Sequence, residues 1–369
     1  MVEDIRNFAL QELEHKFRAL KIEPYRARQV FGWLYKKGVE DFSSMTNLPE
    51  SLKNRLKGYF SIEKIELEKI ETSHDLTQKF LFRLPDDSFI ESVSIPSKSR
   101  LTVCLSTQVG CRFFCAFCAS GSLGFKRNLA TSEILSQFIT IRKNVPQNRI
   151  TNVVFMGVGE PLDNYENVLR AIRIMNAELG INLGIRKMTI STAGFAPAIE
   201  RLAKEGLQIE LSVSLHAVPD EKRSELLPIN KKYPLKVLFE ALRAYMAATK
   251  RKVTFEYVLL GGYNTCVEDA RSLVRLLRGL NARLNLIPYN PVHSRIRFQA
   301  PTKLEVLFFK NFLVKCGMDV ILRIPRGTDI AAACGQLSWS ENRRQKAVVR
   351  QAHHPSNNPE RSRGKVREV

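Results

Sequence analysis

Three cysteines of the stretch Leu101–Arg127 have the spacing of a metal centre. Cys111, Cys115 and Cys118 form a C-x3-C-x2-C pattern in a loop that follows an apolar, strand-like run. Three thiols cannot all pair as disulfides, because one is always left over. Cysteines this close together in the chain also adopt the geometry of a disulfide only with difficulty. They can instead bind one inorganic centre. A [4Fe-4S] cluster usually takes four cysteine ligands, so three ligands would leave one iron open to a small molecule.

Structural zinc is the alternative for the same cysteines. Zinc would require a fourth Cys or His at similar spacing, and no histidine lies between His74 and His216. A further thiol, Cys104, is separated from Cys111 by six residues and stands at the end of the apolar run. We therefore favour the cluster. The spacing, with Phe117 directly before the last cysteine, resembles the radical S-adenosylmethionine (SAM) superfamily, in which the open iron binds the amino and carboxylate groups of SAM.

Polar residues at the ends of four predicted strands are the second feature with a chemical interpretation. They are Gly159 and Glu160 in MGVGEP, Ser191, the run Ser214, Leu215 and His216, and Asn290 in IPYNP. Each alone is more often a turn or cap residue than a ligand. Because the carboxyl ends of parallel strands meet at one edge of a sheet, one shared pocket is more plausible than four coincidences. The glycine turn resembles the motif with which radical SAM proteins bind the SAM amino group.

Apolar strands alternate with helical patterns from about residue 100 to 328, which predicts an α/β fold with a parallel sheet. The expected strands lie near residues 101–106, 150–157, 187–192, 209–216, 252–260, 283–289 and 319–324. About six such units favour a partial (β/α)6 radical SAM barrel, with its chemistry at the carboxyl ends of the strands. The predicted divisions are a helical N-terminal accessory domain (1–62), a β-rich extension (63–97), the barrel (98–328), a C-terminal segment (329–338) and a basic disordered tail (339–369).

The composition favours a globular protein that binds nucleic acid. The chain has 369 residues, with 57 basic against 37 acidic side chains and a formal net charge of +20. Such a surface attracts polyanions, although part of the excess lies in the tail. No stretch of about eighteen apolar residues predicts a membrane span, and the start lacks a basic-then-apolar leader. The odd number of cysteines then points to the reducing cytoplasm.

The basic segment PYRARQVFGWLYKKG, residues 24–38, suggests how RNA could be gripped. It combines arginines and lysines with the exposed-looking aromatics Tyr25 and Trp33 in a region of helical spacing. From the residues alone, a helical module that grips RNA and a plain core containing Phe31 and Trp33 are equally good interpretations.

Four further cysteines lack cluster spacing, and a lone cysteine is first interpreted as a small buried hydrophobe. We accept this for Cys266 and Cys316, and single out Cys104 and Cys334. The whole pattern resembles the RlmN/Cfr family of adenine-methylating radical SAM RNA methyltransferases. The matching stretches span about residues 5–338 and are PYRARQVFGWLYKKG, MTNLP, VCLSTQVGC with the cysteine motif and GFKRNL, ITNVVFMGVGEP, SLHA, LLPINKKYP, NLIPYNP and ACGQL. The tail departs from the family pattern, as does Ser120, where threonine is commoner.

The resemblance implies two cofactors and a role for each matching residue. A [4Fe-4S] cluster is held by Cys111, Cys115 and Cys118. SAM is contacted by Gly159, Glu160, Ser191, Ser214, Leu215, His216 and Asn290. Cys334 takes a methyl group from one SAM. A second SAM, cleaved at the cluster, yields a 5′-deoxyadenosyl radical that removes a hydrogen from this methyl, and the resulting methylene radical adds to an adenine carbon. Cys104 then resolves the protein–RNA adduct through a disulfide with Cys334.

Adenine C2 is electron-poor and cannot attack an ordinary sulfonium methyl, which explains the need for a radical route. A covalent cysteine intermediate divides one difficult step into two. The adduct must also lose a proton, and Glu91, thirteen residues before Cys104, matches the family's proton-accepting position. On sequence alone, an ordinary exposed strand carboxylate is the better interpretation of Glu91, and the resemblance reverses that preference.

The expected function is methylation of C2 of an adenine in 23S rRNA and of the adenosine 3′ of the anticodon in some tRNAs. The enzyme is expected to be a cytoplasmic monomer that receives electrons from a reductant such as flavodoxin or ferredoxin. Three alternatives remain open: the same machinery acting on adenine C8, which confers antibiotic resistance; a non-catalytic iron–sulfur RNA-binding protein; and a radical SAM activase that modifies a protein partner.

Overall fold

Three helices and a short pair of parallel strands form the N-terminal part of the computed structural model, which describes residues 2–145, 150–292 and 297–337. The elements are β1 (Glu3–Asp4), α1 (Leu10–Ala19), α2 (Pro24–Gly32), α3 (Glu50–Tyr59) and β2 (Phe60–Ser61). Pro24 occupies the first turn of α2, where a missing N–H costs nothing. Gly38, with a φ of 67°, ends the π-helical turn that continues α2. The expected tail, 339–369, lies outside the described residues, as does Ser338.

Three antiparallel strands follow, β3 (Glu66–Thr72), β4 (Gln78–Arg83) and β5 (Phe89–Ser97). Their alternation of apolar and polar residues predicts short strands of this kind, and the expectation is confirmed. The turn between β4 and β5 contains Asp87 with a φ of 58°, a left-handed conformation that aspartate tolerates better than most residues.

The rest of the described chain alternates strands with helices. The strands are β6 (Arg100–Cys104), β7 (Gln108–Gly110), β8 (Phe125–Asn128), β9 (Asn152–Phe155), β10 (Met188–Thr192), β11 (Glu210–Ser214), β12 (Val253–Leu259), β13 (Ala282–Pro288) and β14 (Val320–Leu322). The helices are α4 (Thr131–Asn144), α5 (Tyr165–Asn176), α6 (Ala196–Ala203), α7 (Asp220–Leu226), α8 (Leu235–Thr249), α9 (Val267–Leu277) and α10 (Lys303–Lys315). All seven strands expected between residues 101 and 324 are present.

One ten-stranded sheet holds the molecule together, in the order β14-β13-β12-β11-β10-β9-β6-β5-β4-β3. Strands β6 and β9 to β14 are parallel and neighbour one another in chain order, which gives the expected α/β fold with a partial barrel. Strands β3 to β5 extend the same sheet in antiparallel fashion. The order places β14 and β3 at the two edges of this sheet. Of the helices described, none is both long and apolar enough to span a membrane.

Arg6, which forms a buried ion pair with Asp4, joins the N-terminal helices to the rest of the molecule. Arg6 Nη2 lies 2.8 Å from Asp4 Oδ2, and the two side chains are 5% and 2% exposed. Arg6 Nη1 also donates to Ser136 Oγ in α4 over 2.8 Å. Next to it, Asn7 accepts a hydrogen bond from the backbone N–H of Ser132, in the first turn of the same helix. The N-terminal helices therefore share one core with the barrel.

We expect Arg6→Met to destabilise the protein, because it leaves the carboxylate of Asp4 buried without its cation. Breaking a buried pair in this way typically costs about 3 to 5 kcal/mol of unfolding free energy. Arg28→Met, which removes an exposed pair with Glu14, should cost about 1 kcal/mol or less. Urea unfolding of both variants tests the difference, and equal losses would contradict the structural role of Arg6.

Candidate active site

The three cysteines of the C-x3-C-x2-C pattern lie on one loop between β7 and β8. The two strands pair antiparallel and close the loop at its base, where Cys111 N–H donates to the carbonyl of Gly124 over 2.8 Å. Gly110 has a φ of 73°, and a Cβ at this position would lie 1.8 Å from that same carbonyl oxygen. Only glycine therefore allows the loop to close so tightly.

Two other parts of the chain hold this cysteine loop from outside. The N–H of Ala116 donates to the carbonyl of Leu226 at the end of α7 over 2.9 Å. The N–H of Ala119 donates to the carbonyl of Gly335 over 2.8 Å, and Ser120 Oγ donates to the carbonyl of Leu337 over 2.7 Å. Serine and threonine both carry the hydroxyl that this last bond requires.

The chemistry of these thiols fits an iron–sulfur cluster. Burial raises the pKa of Cys111 to about 12 and that of Cys115 well above its usual value. Thiolates at such positions need nearby positive charge, which bound iron supplies. Within the described ranges, no group of three or more Cys, His, Asp or Glu side chains converges on a point that could hold a single ion. A cube binds each thiolate through a different iron, and three cysteines of one loop can supply these ligands.

Glu160 connects two of the strand ends at which ligand residues are expected. It is buried, and its carboxylate accepts hydrogen bonds from the N–H groups of Leu162 and Ala193 over 3.2 and 2.8 Å. Ala193 directly follows β10, so the carboxylate ties the end of β9 to the end of β10. Burial raises the pKa of Glu160 to about 7 despite these bonds. An ammonium group nearby would favour the charged carboxylate.

The glycines before Glu160 are needed by the chain itself. A Cβ on Gly157 would lie 2.7 Å from the carbonyl oxygen of Leu105, and one on Gly159 would lie 2.5 Å from Gln108 Cβ. Gly159 also has a φ of 105°. The interpretation as a tight turn is thus confirmed, whereas contact with a ligand stays a prediction.

The other expected ligand residues lie along the same edge of the sheet. Ser191 and Ser214 stand at or next to the ends of β10 and β11, and Asn290 follows β13. Leu215 is fully buried, and its backbone N–H bonds to β12. The structure therefore brings these strand-end residues to neighbouring strands, as the parallel topology requires.

His216 is a buried, neutral histidine. Its φ of 57° turns the chain sharply after β11, and its Nδ1 accepts a hydrogen bond from the backbone N–H of Val258 over 3.0 Å. Its ring packs edge-on against Phe117 of the cysteine loop, with centroids 4.6 Å apart. Burial, with a contribution from Arg223, lowers the pKa of His216 to about 3. The proton of the neutral ring consequently resides on Nε2.

Sequence reasoning missed Arg223, which holds this turn in place. Its guanidinium is fully buried and donates to the carbonyl oxygens of Ala193, Ser214 and Leu215 over 2.9, 2.9 and 3.2 Å. Burial lowers its pKa to about 10. An arginine inside a short helix with charged neighbours gives no sign of this role, because its acceptors belong to other parts of the chain.

Glu91 and Cys104 lie on one face of the antiparallel part of the sheet, beneath the segment that carries Cys334. Val93 pairs with Cys104 across β5 and β6, and Glu91 lies two residues earlier on β5, so all three side chains share a face. Val93 and Cys104 belong to one buried apolar cluster with Ala332 and Leu337 of the C-terminal segment. Glu91 is buried, which rules out an exposed strand carboxylate.

The two isolated thiols lie within electrostatic range of each other and of the cysteine loop. Burial raises the pKa of Cys104 to about 12, and the charge of Cys334 contributes. Burial also raises the pKa of Cys334, with contributions from Glu256 and Cys118. Cys334 is nevertheless exposed to solvent. Its thiol has access both to solvent and to the loop that carries Cys118.

Two sequence-based interpretations need correction or completion. Cys266 and Cys316 are exposed rather than buried hydrophobes, because they lie at the two ends of surface helices. Cys266 Sγ lies 3.0 Å from Asp269 Oδ2 at the start of α9.

In the N-terminal module, Phe31 belongs to the core, Trp33 is partly buried, and Tyr25 is 51% exposed.

Comparison with known proteins identifies the family. The Radical SAM superfamily model matches residues 105–276, and the model of the ribosomal RNA large subunit methyltransferase N-terminal domain matches residues 3–62. The dual-specificity RNA methyltransferase RlmN of Geobacter sulfurreducens is 44% identical over 334 residues, which are 90% of this chain and 91% of that protein. The chain belongs to the RlmN family.

Two further comparisons agree. The RlmN of Syntrophus aciditrophicus is 45% identical over 91% of this chain and 96% of its own length. The crystal structure of a radical SAM methyltransferase from Sphaerobacter thermophilus superposes with a TM-score of 0.86 at 41% identity, covering 91% of this chain and 99% of that one. The cofactors of this RlmN-family chain are therefore those of radical SAM enzymes, a [4Fe-4S] cluster and SAM.

We expect His216 to make folding stability pH-dependent. Its pKa is about 3 in the folded chain and about 6.5 when unfolded, so its contribution is complete above pH 6.5 and is lost as the pH falls towards 3. Between pH 7.5 and 5, wild type should lose about 2 kcal/mol of unfolding free energy more than His216→Asn, which keeps an acceptor but does not titrate. Urea titrations at both pH values test this, and parallel losses would refute it.

Proposed function

We propose that this RlmN-family protein methylates C2 of a specific adenine in 23S rRNA and C2 of the adenosine 3′ of the anticodon in some tRNAs. Its relatives are named dual-specificity RNA methyltransferases, which supports an RNA substrate. The observation that carries the proposal is the meeting of the C-terminal segment with the cysteine loop, through the 2.8 Å bond from Ala119 N–H to the carbonyl of Gly335. This bond holds Cys334 beside the candidate cluster site.

Cys334 is the residue proposed to carry the methyl group as S-methylcysteine. It combines solvent access with proximity to the loop of Cys118. An electron-poor adenine C2 cannot attack a sulfonium methyl directly, and a covalent carrier divides the transfer into two easier steps. The carrier must lie where both a small cofactor and a nucleotide can reach it, and an exposed cysteine next to the cysteine loop satisfies this requirement.

The cluster and SAM, when bound, supply the one-electron chemistry that ordinary side chains lack. Cys111, Cys115 and Cys118 would hold the cluster. The strand-end residues would hold SAM, and they are Gly159, Glu160, Ser191, Ser214, Leu215, His216 and Asn290. A carboxylate such as that of Glu160, already oriented by two backbone N–H groups, is suited to an ammonium group.

Glu91 and Cys104 are proposed to complete the reaction. Glu91 would accept the proton that the adenine carbon loses, because a buried carboxylate on the face beneath the C-terminal segment lies near the adduct. The adduct radical would also give up one electron, which the cluster, when bound, would accept. The Cys104 thiolate would then attack the sulfur of Cys334, so that the disulfide forms as the sulfur–methylene bond breaks, and the methylene carbon would take up a proton to become the methyl group of the released RNA. The electrostatic coupling of the two thiols supports this pairing.

The partners follow from the same chemistry. We propose 23S rRNA and tRNA as polyanionic substrates for a chain of net charge +20. A one-electron reductant such as flavodoxin or ferredoxin would reduce the cluster. The enzyme would act as a monomer in the cytoplasm, where these RNAs are found.

The decisive experiment is nucleoside mass spectrometry. Anaerobically reconstituted protein is incubated with SAM, a reductant and a 23S rRNA fragment, and the RNA is then digested. We expect 2-methyladenosine. Detection of 8-methyladenosine alone would instead assign the alternative adenine-C8 activity. A reconstituted protein that binds the RNA but never methylates it would favour a non-catalytic iron–sulfur RNA-binding protein, and modification of a protein only would favour an activase.

Two cysteine variants should fail at different stages. Cys334→Ala should give no methylated adenosine, because the methyl carrier is lost. Cys104→Ala should accumulate a covalent protein–RNA adduct, because the resolving thiol is lost. Gel electrophoresis under denaturing conditions detects the adduct. Cys316→Ala, at an exposed helix end, is the matched control and should behave as wild type. Free RNA and free enzyme alone from Cys104→Ala would contradict its resolving role.

A further inference from the structure

A lysine with little solvent exposure lies among three oxygen acceptors beside the proposed site. Lys79 is on β4, and its side chain is 11% exposed. Its Nζ lies 2.9 Å from Glu71 Oε2 and 3.4 Å from Glu91 Oε1, and it donates to the carbonyl of Ile330 over 2.6 Å. An ammonium group has three donors, and these contacts use all of them. One side chain therefore touches both the proposed proton acceptor and the C-terminal segment.

The position of Lys79 in the sheet explains these contacts. Lys79 pairs with Val93 across β4 and β5, and Val93 pairs with Cys104 across β5 and β6. Directly opposed residues of antiparallel strands project to the same face. The three side chains thus form a row across the face that Ala332 covers. Ile330, which receives the lysine hydrogen bond, is only four residues before Cys334.

The turn between β3 and β4 makes further bonds to the same segment. Ser73 Oγ donates to Asp329 Oδ1 over 2.6 Å, and the N–H of Gly327 donates to Asp75 Oδ2 over 3.2 Å. Although partial burial opposes it, hydrogen bonds from Thr77 and Gly327 lower the pKa of Asp75 to about 2. The hairpin formed by β3 and β4 is therefore hydrogen-bonded to Gly327 and Asp329, a few residues before Cys334.

The segment also packs tightly against this hairpin. Gly327 has a φ of 63°, and a Cβ at this position would lie 2.9 Å from both Thr77 Cγ2 and Ala332 Cβ. Contact this close leaves the backbone little room to shift sideways. The hairpin and the segment are therefore closely packed at Gly327.

We propose that Lys79 is a positioning residue, which fixes the C-terminal segment, and with it Cys334, at a set place relative to Glu91. This inference rests on the roles proposed for Cys334 and Glu91. A buried ion pair adds little net stability compared with well-packed apolar groups. An ammonium group, unlike an apolar side chain, bonds a carboxylate and a backbone carbonyl at once. Lys79 therefore links Glu91 to the segment that carries Cys334.

The test compares Lys79→Met and Lys79→Arg with wild type in the full-length, reconstituted enzyme. Lys69→Met is the matched control, because Lys69 also pairs with Glu71, at 2.7 Å, but is 58% exposed. For Lys79→Met we expect kcat for RNA methylation to fall about 10- to 100-fold with the KM for RNA unchanged, since small misplacements of reacting groups have effects of this size. Hydrogen–deuterium exchange in residues 326–337 should rise.

Lys79→Arg keeps the charge and the donors, so it should recover most of the exchange protection and of kcat. Lys69→Met should match wild type in both readouts. Unchanged kcat and unchanged exchange in Lys79→Met would overturn the proposal. Lost activity with wild-type exchange in residues 326–337 would also overturn it, since Lys79 would then act on Glu91 alone.

The assay separates this inference from the proposed function. If wild type itself carries no methyl on Cys334 and makes no methyladenosine, the proposed function has failed. The exchange comparison still decides whether Lys79 fixes the segment. Should Lys79→Met fold poorly, as judged by its melting temperature and cluster absorbance, the comparison of Lys79→Arg and Lys79→Gln gives the same contrast between kept and lost charge.

Discussion

The hydrogen bonds between the cysteine loop and the C-terminal segment are the constraint on which the rest of the candidate site depends. The N–H of Ala119 and the hydroxyl of Ser120 donate to the carbonyls of Gly335 and Leu337, so two stretches more than two hundred residues apart define each other's shape. Gly335 has a φ of 81°, which favours a residue without a Cβ. These bonds therefore fix the positions of the two loops, and of the thiols that they carry, relative to each other.

Strand β6 is where the two halves of the site are joined. On one side it pairs in parallel with β9, which leads to the glycine turn and Glu160. On the other side it pairs antiparallel with β5, which carries Glu91. Cys104 is the last residue of β6 and lies at this junction. The pocket expected for a small cofactor and the face proposed to handle the adduct are thus built on one continuous sheet.

Much of this fold could be predicted from the sequence, because its elements are set by local periodicity. The helix Thr131–Asn144 and all seven parallel strands follow directly from their apolar patterns. The expectation failed for Cys266 and Cys316, since residue type alone does not show that a cysteine sits at the exposed end of a helix. The turn after β9 shows a similar limit, because the demand for glycine comes from Leu105 and Gln108, which the chain brings close only when folded.

Long-range polar contacts could not be predicted at all. Arg223 and Lys79 look like ordinary surface charges in sequence, yet one is fully buried and the other has little exposure. Their acceptors include backbone carbonyls of other segments, such as those of Ala193 and Ile330, and a carbonyl is common to every residue type, so the sequence does not reveal it. Residue type and spacing therefore indicate the candidate reactive residues more readily than the residues that hold them in position.

The incomplete closure of the barrel has a consequence for the size of molecule that it can process. Because the sheet ends at β14 on one side and β3 on the other, the strands of the described part of the chain do not form a closed ring. A closed ring of strands has no lateral opening, so its site is reached only from the carboxyl ends of the strands. An interrupted one allows a single unit of a long polymer to be inserted sideways while both flanking arms stay outside, so the polymer never has to be threaded by an end.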